Sequence, residues 1–403
     1  MDILFVHNNY PAQFQFLATY FANCNANTIF LTNRSDYDAW PINGVKVLRY
    51  ALDEKDQYKT HPITSSHANS TLAGLSVARS AQQLKKNGFS PKYIFVHGGN
   101  GLSLFLKEIF PDSLLITYME WWFARENIKY LVDKPSIKHQ CLSIIRNSVI
   151  LDELYLADHV VVPTLWQASH FPEEFSSKIT ILFDGIDTNF FRPSLIPASC
   201  SFPSSEFYPE LQVEDDHQVI SYATRGMEPL RGFPEFMASL PSLLNAFPRL
   251  IAVIAGMDRV VYSYPAPSES GSWKDYMLSQ IQDQCDCNRI FFLGSISLSD
   301  YRMLLCRSDL HIYFSRPYVT SWGLFQAAAC GTPLLVNHSP AINYVLSSDC
   351  ATFVDLDDPE EIVLTASRLL KADSNRQDRK SFLADELSLN TCLKEWVRFL
   401  SAL

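Results

Sequence analysis

The chain has 403 residues, of which 47% are hydrophobic and 19% are charged, and these ordinary globular proportions exclude a disordered chain. Its length exceeds the size at which a single core stops growing, so we expect two domains. The net charge is −10 and neither half is basic, which argues against nucleic acid as a main partner.

The first half alternates short apolar runs with helical patterns, which predicts βαβ units around a parallel sheet. None of the apolar runs approaches the ~20 residues that span a bilayer. The predicted strands are Ile3–His7, Thr28–Leu31, Val45–Tyr50, Tyr93–His97, Leu114–Tyr118, Val160–Pro163 and Ile179–Phe183, and the predicted helices are Phe14–Asn23, Leu72–Asn87 and Ser103–Ile109.

The second half repeats the alternation and predicts a second Rossmann-like domain. Its predicted strands are Val219–Ala223, Ile251–Gly256, Ile290–Leu293, Leu310–Phe314 and Leu334–Asn337, and its predicted helices are Gly232–Ala246, Trp273–Cys285, Leu298–Cys306, Leu324–Cys330, Glu360–Leu370 and Ser381–Ser401. Residues 193–217 are rich in proline and serine and predict the boundary. We therefore expect domains at 1–192 and 193–380, with residues 381–403 as a further helix.

Signals for export or metal binding are weak. Asp2 stands where a signal peptide carries bases, so residues 1–6 are read as a strand. Nine cysteines, an odd number without regular spacing, indicate reduced thiols in a cytosolic protein. The Cys285-Asp-Cys287 pair stands alone, and Asp36-Tyr-Asp38 is interpreted as a solvated loop, so no metal is expected.

Arg225 and Arg231 follow the predicted strand Val219–Ala223 and precede a predicted helix. A helix N-terminus supplies free N–H groups and partial positive charge, and two arginines add charged, fork-shaped donors. This combination suits a phosphate or diphosphate. Two solvated arginines in a loop are the alternative, and the two interpretations are balanced on these residues alone.

Further polar loops follow predicted strands of the first half. Asn8, Asn9 and Gln13 suit a polyhydroxylated ligand or, equally, helix capping. His97 precedes the turn Gly98-Gly-Asn-Gly101, in which Gly99 and Asn100 offer room for a ligand near the backbone. His97 is either a hydroxyl or proton donor or a structural histidine. Glu120 with Trp121 and Trp122 suits sugar hydroxyls and faces, although tryptophans are more often core residues.

Several segments together resemble retaining glycosyltransferases of family 4, in a bacterial branch. Residues 178–193, Lys-Ile-Thr-Ile-Leu-Phe-Asp-Gly-Ile-Asp-Thr-Asn-Phe-Phe-Arg-Pro, resemble the family's interdomain segment, and residues 321–333 resemble its donor-binding helix and turn. Thr164-Leu-Trp-Gln167, the first loop and the His97 loop are also similar. The resemblance implies an α/β GT-B fold, with two Rossmann-like domains facing across a central cleft.

The resemblance also implies roles for residues. Arg225 and Arg231 would hold the diphosphate and stabilise the leaving group, and His97 would face the transferred sugar. Retention is explained in this family by a front-face reaction without an enzyme nucleophile or a divalent metal. The implied donor-site residues are Arg225, Gly226, Arg231, Tyr318, Ser321, Trp322 and Gln326, and the acceptor-side or sugar-side residues are Asn8, Asn9, Gln13, Gly99, Asn100 and Glu120.

Gln326 departs from the family pattern, because an acid that binds the ribose hydroxyls is usual there. Glutamine keeps one acceptor oxygen but loses the charge, and the family's earlier acid falls on Tyr318. A transferase and a GT-B-like binding or accessory subunit therefore both remain open. The donor is a UDP-sugar by family frequency only. The acceptor is a cell-surface polysaccharide, a lipid-linked sugar or a small metabolite, and a membrane-surface acceptor stays open although no residue indicates one.

Overall fold

The computed structural model describes residues 1–51, 61–204, 208–267, 271–346, 350–372 and 376–403. The chain forms two compact units. The first contains residues 1–128, 135–185 and 389–403, and the second contains residues 129–134 and 186–388. Unit 2 thus begins before the predicted boundary segment, and that segment is not a bare linker because it contains two short paired strands.

The first unit is built on seven parallel strands in the order β3-β2-β1-β4-β5-β6-β7. They are β1 (Asp2–His7), β2 (Asn27–Thr32), β3 (Val45–Arg49), β4 (Pro91–His97), β5 (Leu114–Tyr118), β6 (His159–Val162) and β7 (Ile179–Ile181). Their apolar residues are buried on both faces, as parallel sheets require.

The second unit has six parallel strands in the order β12-β11-β10-β13-β14-β15 and an antiparallel pair, β8-β9. They are β8 (Cys200–Phe202), β9 (Leu211–Val213), β10 (Gln218–Gly226), β11 (Leu250–Met257), β12 (Ile290–Gly294), β13 (Leu310–Tyr313), β14 (Leu334–Asn337) and β15 (Thr352–Val354). Each predicted strand is present, and the β8-β9 pair and β15 were not predicted.

Helices connect these strands. They are α1 (Gln15–Asn23), α2 (Ser65–Lys86), α3 (Leu106–Ile109), α4 (Ile128–Leu131), α5 (Ile137–Leu156), α6 (Leu165–Ala168), α7 (Phe233–Ala246), α8 (Trp273–Ile281), α9 (Leu298–Arg307), α10 (Trp322–Ala329), α11 (Pro340–Asn343), α12 (Pro359–Lys371) and α13 (Leu389–Ser401). Among the described residues, none of these helices is long and apolar enough to cross a membrane.

Both parallel sheets reverse their strand order beside their first strand. The reversal falls between β1 and β4 in unit 1 and between β10 and β13 in unit 2. In open α/β sheets, ligands bind outside the carboxyl ends of the strands at such a point. Each unit therefore has one place where a ligand site is expected on topology alone.

The last helix, α13, belongs to unit 1. Its Trp396 is buried, donates its indole N–H to the Phe183 carbonyl at 3.1 Å and packs its ring 6.3 Å from Phe95. The prediction of a helix from Ser381 was wrong at its start, since α13 begins at Leu389. Just before it, Asp385–Leu387 form a separate 3-10 turn, and Ser388 pairs with Ile186, whose N–H donates to the Leu387 carbonyl.

Candidate functional site

In unit 1 the strand ends at the order reversal carry a hydrogen-bonded network that starts at His7. The Asn9 backbone N–H donates to His7 Nδ1 at 2.8 Å, and His7 Nε2 lies 2.9 Å from Gln13 Oε1. Because Nδ1 accepts, neutral His7 carries its proton on Nε2 and donates it to Gln13. Gln13 is thereby oriented with its amide nitrogen free to donate elsewhere.

That amide reaches Glu120, two residues after the end of β5. Gln13 Nε2 donates to Glu120 Oε1 at 3.0 Å, and His97 Nε2 lies 3.2 Å from Glu120 Oε2. The His7 and His97 rings are 4.2 Å apart, and Gln167 donates to the Glu120 carbonyl at 2.8 Å. The structure thus joins three predicted residues, Gln13, His97 and Glu120. It adds His7, which the sequence reading had assigned only to a strand.

Asn8 and Asn9 lie beside this network, and their side-chain oxygens are engaged within the fold. Tyr50 donates to Asn8 Oδ1 at 2.5 Å, while Asn9 Oδ1 accepts from the Tyr10 N–H and from Arg34. The helical turns that follow have no side-chain cap, so helix capping is not the role of these residues. They fix the shape of the loop after β1.

The glycine-rich turn after β4 is shaped by close packing. A Cβ on Gly98 would lie 2.3 Å from Met119 Sδ, and one on Gly101 would lie 2.4 Å from the Ser70 carbonyl oxygen. Close packing therefore requires glycine at these two positions. Gly99, with φ of +87°, does face open space, and Asn100 is partly exposed.

Beneath this turn lies Glu153 of α5, which sequence reasoning missed. It is fully buried and accepts from the Gly99 N–H at 2.6 Å and from the Ser103 hydroxyl at 2.9 Å. Burial raises the pKa of Glu153, while the donors from Gly99 and Ser103 lower it. The turn therefore directs its Gly99 N–H at an internal carboxyl group. Because that N–H is engaged inside the fold, it is not presented to a bound anion.

In unit 2, Arg231 bridges the order reversal between β10 and β13. Its side chain is buried, and Nη1 donates to Ser315 Oγ at 2.9 Å and to the Val319 carbonyl at 3.1 Å. Arg231 follows β10, whereas Ser315 and Val319 follow β13. A guanidinium held this way is fixed in place before any ligand arrives.

Tyr262, in the loop after β11, connects the two arginines. Arg225 Nη1 donates to its hydroxyl at 3.3 Å, and the Arg231 guanidinium lies 5.6 Å from its ring centroid. The Tyr318 ring is 5.4 Å from the Tyr262 ring. Arg225 is exposed, in contrast to Arg231. The structure thus brings together three predicted residues, Arg225, Arg231 and Tyr318, through one that was not predicted.

A buried acid, Glu228, positions that tyrosine. Its Oε2 accepts from the backbone N–H groups of Val261, Tyr262 and Ser263 at 2.9 to 3.1 Å. Glu228 is fully buried, and Gly226 leaves space for the same loop because a Cβ there would lie 2.6 Å from the Arg259 carbonyl oxygen. An acid between two arginines in one loop was the signal in the sequence that could have identified Glu228.

The remaining predicted donor residues lie at or on α10. The Ser321 N–H donates to the Tyr313 hydroxyl at 3.1 Å, which fixes the start of the helix. Trp322 is 39% exposed and Gln326 is partly exposed. Within the described ranges, no hydrogen bond joins Ser321, Trp322 or Gln326 to the arginines.

Metal-ligand chemistry is sparse in the described part of the chain. One cluster of suitable side chains occurs there, Glu214, Asp216 and His217, and Arg249 pairs with both acids. The nine cysteines are free thiols. Asp36 pairs with Arg34 at the surface, which leaves the Asp-x-Asp motif in a local ion pair.

Comparison with known proteins gives a family match and whole-length fold matches. A model described as glycosyl transferase family 4 group matches residues 25–191. The Anabaena protein HepE, solved in complex with UDP-glucose, superposes with a TM-score of 0.69 at 13% identity over 100% of both chains. Sucrose-phosphate synthase from Thermosynechococcus elongatus gives 0.70 at 15% identity, covering 100% of this chain and 99% of that one. No curated protein sequence matches.

A third structure, a UDP-forming α,α-trehalose-phosphate synthase from Burkholderia vietnamiensis, gives a TM-score of 0.67 at 9% identity over 100% of both chains. The protein therefore has the GT-B fold, built from two Rossmann-like α/β units. The match to the glycosyl transferase family 4 group is confined to residues 25–191, less than half of the chain. The segments 219–233 and 321–333, which carry the donor-site resemblance, lie outside the matched residues.

Proposed function

We propose that the protein is a retaining glycosyltransferase that moves a sugar from a nucleotide-diphosphate sugar to an acceptor hydroxyl. The observation that carries this proposal is the arginine pair at the order reversal of unit 2. Hydrogen bonds to Ser315 and Val319 hold the Arg231 guanidinium in position, and Arg225 donates to the hydroxyl of Tyr262 beside it. Two cations fixed at the carboxyl ends of parallel strands match a diphosphate in charge and place.

Catalysis in this proposal is electrostatic. Arg231 and Arg225 stabilise the negative charge that grows on the diphosphate as the bond to the sugar breaks. Because Arg231 is already held in position, little reorganisation is needed when that charge develops. Retention follows the front-face reaction proposed for the family, in which the leaving diphosphate helps to take the acceptor proton.

Unit 1 is proposed to bind sugar hydroxyls through the network of Gln13, His97 and Glu120. The network contains amide, imidazole and carboxylate groups, which pair with hydroxyls as donors and acceptors. Asn8, Asn9 and Asn100 shape its surroundings. The acceptor is a glycan, a lipid-linked sugar or a small metabolite, and these residues do not indicate which of the three binds.

The donor base is proposed to be uridine. This choice rests on the HepE complex with UDP-glucose and on the UDP-forming trehalose-phosphate synthase among the fold relatives. Turnover measured with UDP-, GDP- and ADP-sugars tests it directly. The proposal of a UDP donor predicts that nucleoside diphosphate is released fastest from the UDP-sugars.

The diphosphate site is tested by Arg231→Ala. Losing a charged contact to phosphate costs about 1.5–3 kcal/mol, so we expect UDP to bind roughly ten to 150 times more weakly by titration calorimetry. Arg249→Ala is the matched control, because Arg249 pairs with Glu214 and Asp216 and precedes β11 at the opposite end of the strands. Equal UDP affinity in the wild type and Arg231→Ala would contradict the proposed site.

A second candidate function is a GT-B-like binding or accessory subunit with weakened or lost turnover. Gln326 favours it, because the family places an acid there. If the ribose lies at this residue, Gln326→Glu should tighten UDP binding, since a carboxylate accepts hydroxyl hydrogen bonds more strongly than an amide. An unchanged dissociation constant would remove residue 326 from the site. UDP binding without turnover of any sugar nucleotide would favour the second candidate.

A further inference from the structure

Helix α5 presents an apolar face to solvent that neither the core nor the proposed site uses. Ile137, Ile144 and Tyr155 are 74%, 67% and 76% exposed, and Leu151 is 39% exposed. The buried residues of the same helix, Asn147, Val149, Ile150, Glu153 and Leu154, lie on its other side. Large apolar side chains scattered singly on a surface are ordinary, but four aligned on one helix are not.

The spacing of this face is that of a coiled-coil seam. Steps of four and three residues alternate through six positions, which is the heptad pattern that faces a partner helix. In chain order the six residues of the seam are Ile137, Cys141, Ile144, Ser148, Leu151 and Tyr155, and of these Ser148 also pairs with His67 of α2, whose Nδ1 lies 3.0 Å from the Ser148 hydroxyl. A seam of this kind needs a second helix of similar length.

Residue sizes along the seam fit an antiparallel second copy of α5. With Ile144 opposite Ser148 of the partner, Cys141 falls opposite Leu151 of the partner and Ile137 opposite Tyr155 of the partner. Each inner layer then combines one large apolar residue with one small residue, which fills space without overpacking. One register satisfies all three layers at once.

Charges flanking the seam agree with the same register. Lys138 and Asp152 occupy equivalent heptad positions two heptads apart, and both are exposed. No ion pair of either residue occurs in the described part of the chain. An antiparallel copy brings Lys138 of each helix toward Asp152 of the other, twice about the two-fold axis, whereas a parallel copy would leave these two residues unpaired with each other.

We propose that this face of α5 is a homodimer interface in which two copies of the chain pair antiparallel along the seam. The pairing is isologous, so each copy contributes the same residues. It is independent of the proposed transferase activity, because none of these six residues belongs to the sugar or phosphate networks.

Disulfide trapping tests the register. In a Cys24→Ser background, which removes an exposed thiol, Leu151→Cys should form a disulfide with Cys141 of the partner when oxidised glutathione accepts the two electrons and two protons. The background protein alone should not crosslink, because its two Cys141 residues lie ten residues apart along the pair, about 15 Å. Leu364→Cys in the same background, at a leucine that is 73% exposed on α12, controls for random collision.

Sedimentation and charge exchange test the interface on the full chain. We expect a concentration-dependent dimer that Ile144→Asp converts to monomer, whereas Leu364→Asp leaves it dimeric. Lys138→Asp and Asp152→Lys should each weaken the dimer, and the two together should restore it.

A wild-type chain that stays monomeric and a Leu151→Cys variant that does not crosslink would overturn the proposal. A monomer that sediments with phosphatidylglycerol vesicles would assign the face to a membrane instead, and crosslinking of Cys141 in the background protein would overturn the antiparallel register.

Discussion

Tyr262 determines how the two arginines of the proposed diphosphate site are arranged. Its hydroxyl accepts from Arg225, its ring lies beneath Arg231, and Glu228 holds its backbone. The sequence predicted both arginines but could not predict this arrangement. Tyr262 and Arg231 lie in separate loops that meet only because β10 and β11 pair. The sequence also could not show that Arg231 is buried and Arg225 exposed.

Tyr262→Phe isolates the hydroxyl contact. Arg225 loses its acceptor while the ring beneath Arg231 remains, so we expect UDP to bind about threefold to tenfold more weakly, within the range of one net hydrogen bond. Uridine, which lacks phosphates, should bind both proteins equally in the same calorimetric measurement. Tyr276→Phe, in α8, is the control. A loss that is equal for UDP and uridine would show a general structural effect instead of arginine positioning.

At the scale of elements, the turn between β10 and α7 has little freedom to change. Gly232 takes a left-handed conformation with φ of +65°, and a Cβ there would lie 2.3 Å from Phe314 Cβ. Both the backbone angle and the contact exclude a side chain. This turn carries Arg231, so its shape fixes the position of the guanidinium.

Gly232→Ala should therefore lower the free energy of unfolding by more than the ~1 kcal/mol that a left-handed alanine costs by itself. Gly88→Ala provides that reference, because Gly88 has φ of +84° and a methyl group added there would have nothing within 4 Å. Urea denaturation of the two variants measures the difference. Equal losses of stability would mean that Phe314 moves aside at little cost.

Strands were predicted better than helices, for a physical reason. Strands of a parallel sheet are buried on both faces and therefore give continuous apolar runs such as residues 251–256. Helix α5 was not predicted, because its apolar residues do not all lie on its buried face and so do not give a clear amphipathic pattern. It exposes Ile137 and Ile144, while it buries Asn147 and Glu153. Apolar residues on the solvent side and polar residues on the buried side made the helix hard to predict, and the same arrangement produces its exposed seam.

For the whole molecule, the buried histidine of β13 makes stability depend on pH. His311 is fully buried with its Nδ1 2.8 Å from Ser221 Oγ, and burial lowers the pKa of His311 to about 3. The unfolded chain has an ordinary histidine pKa near 6.5. Between these values the unfolded state binds more protons, so this contribution to stability is present above pH ~6.5 and is lost as pH falls toward 3.

His311→Gln should flatten that dependence. A neutral amide has no proton to gain, so between pH 6.5 and 5 the variant should lose up to about 1.4 kcal/mol per pH unit less than the wild type, relative to its own value at pH 8. Urea denaturation at several pH values provides the measurement. His61→Gln, at an exposed histidine, is the control, and parallel curves for the wild type and His311→Gln would contradict the assignment.

The position of α13 in unit 1 has a consequence for synthesis on the ribosome. Trp396 and Leu400 complete an apolar core shared with Phe5 and Phe95, yet they are translated after every residue of unit 2. Residues 186–388 can therefore reach their final contacts while the earlier part of the chain still lacks a helix. During that interval the nascent first unit exposes the apolar surface that Trp396 later covers. That surface can then bind a chaperone or aggregate with other chains.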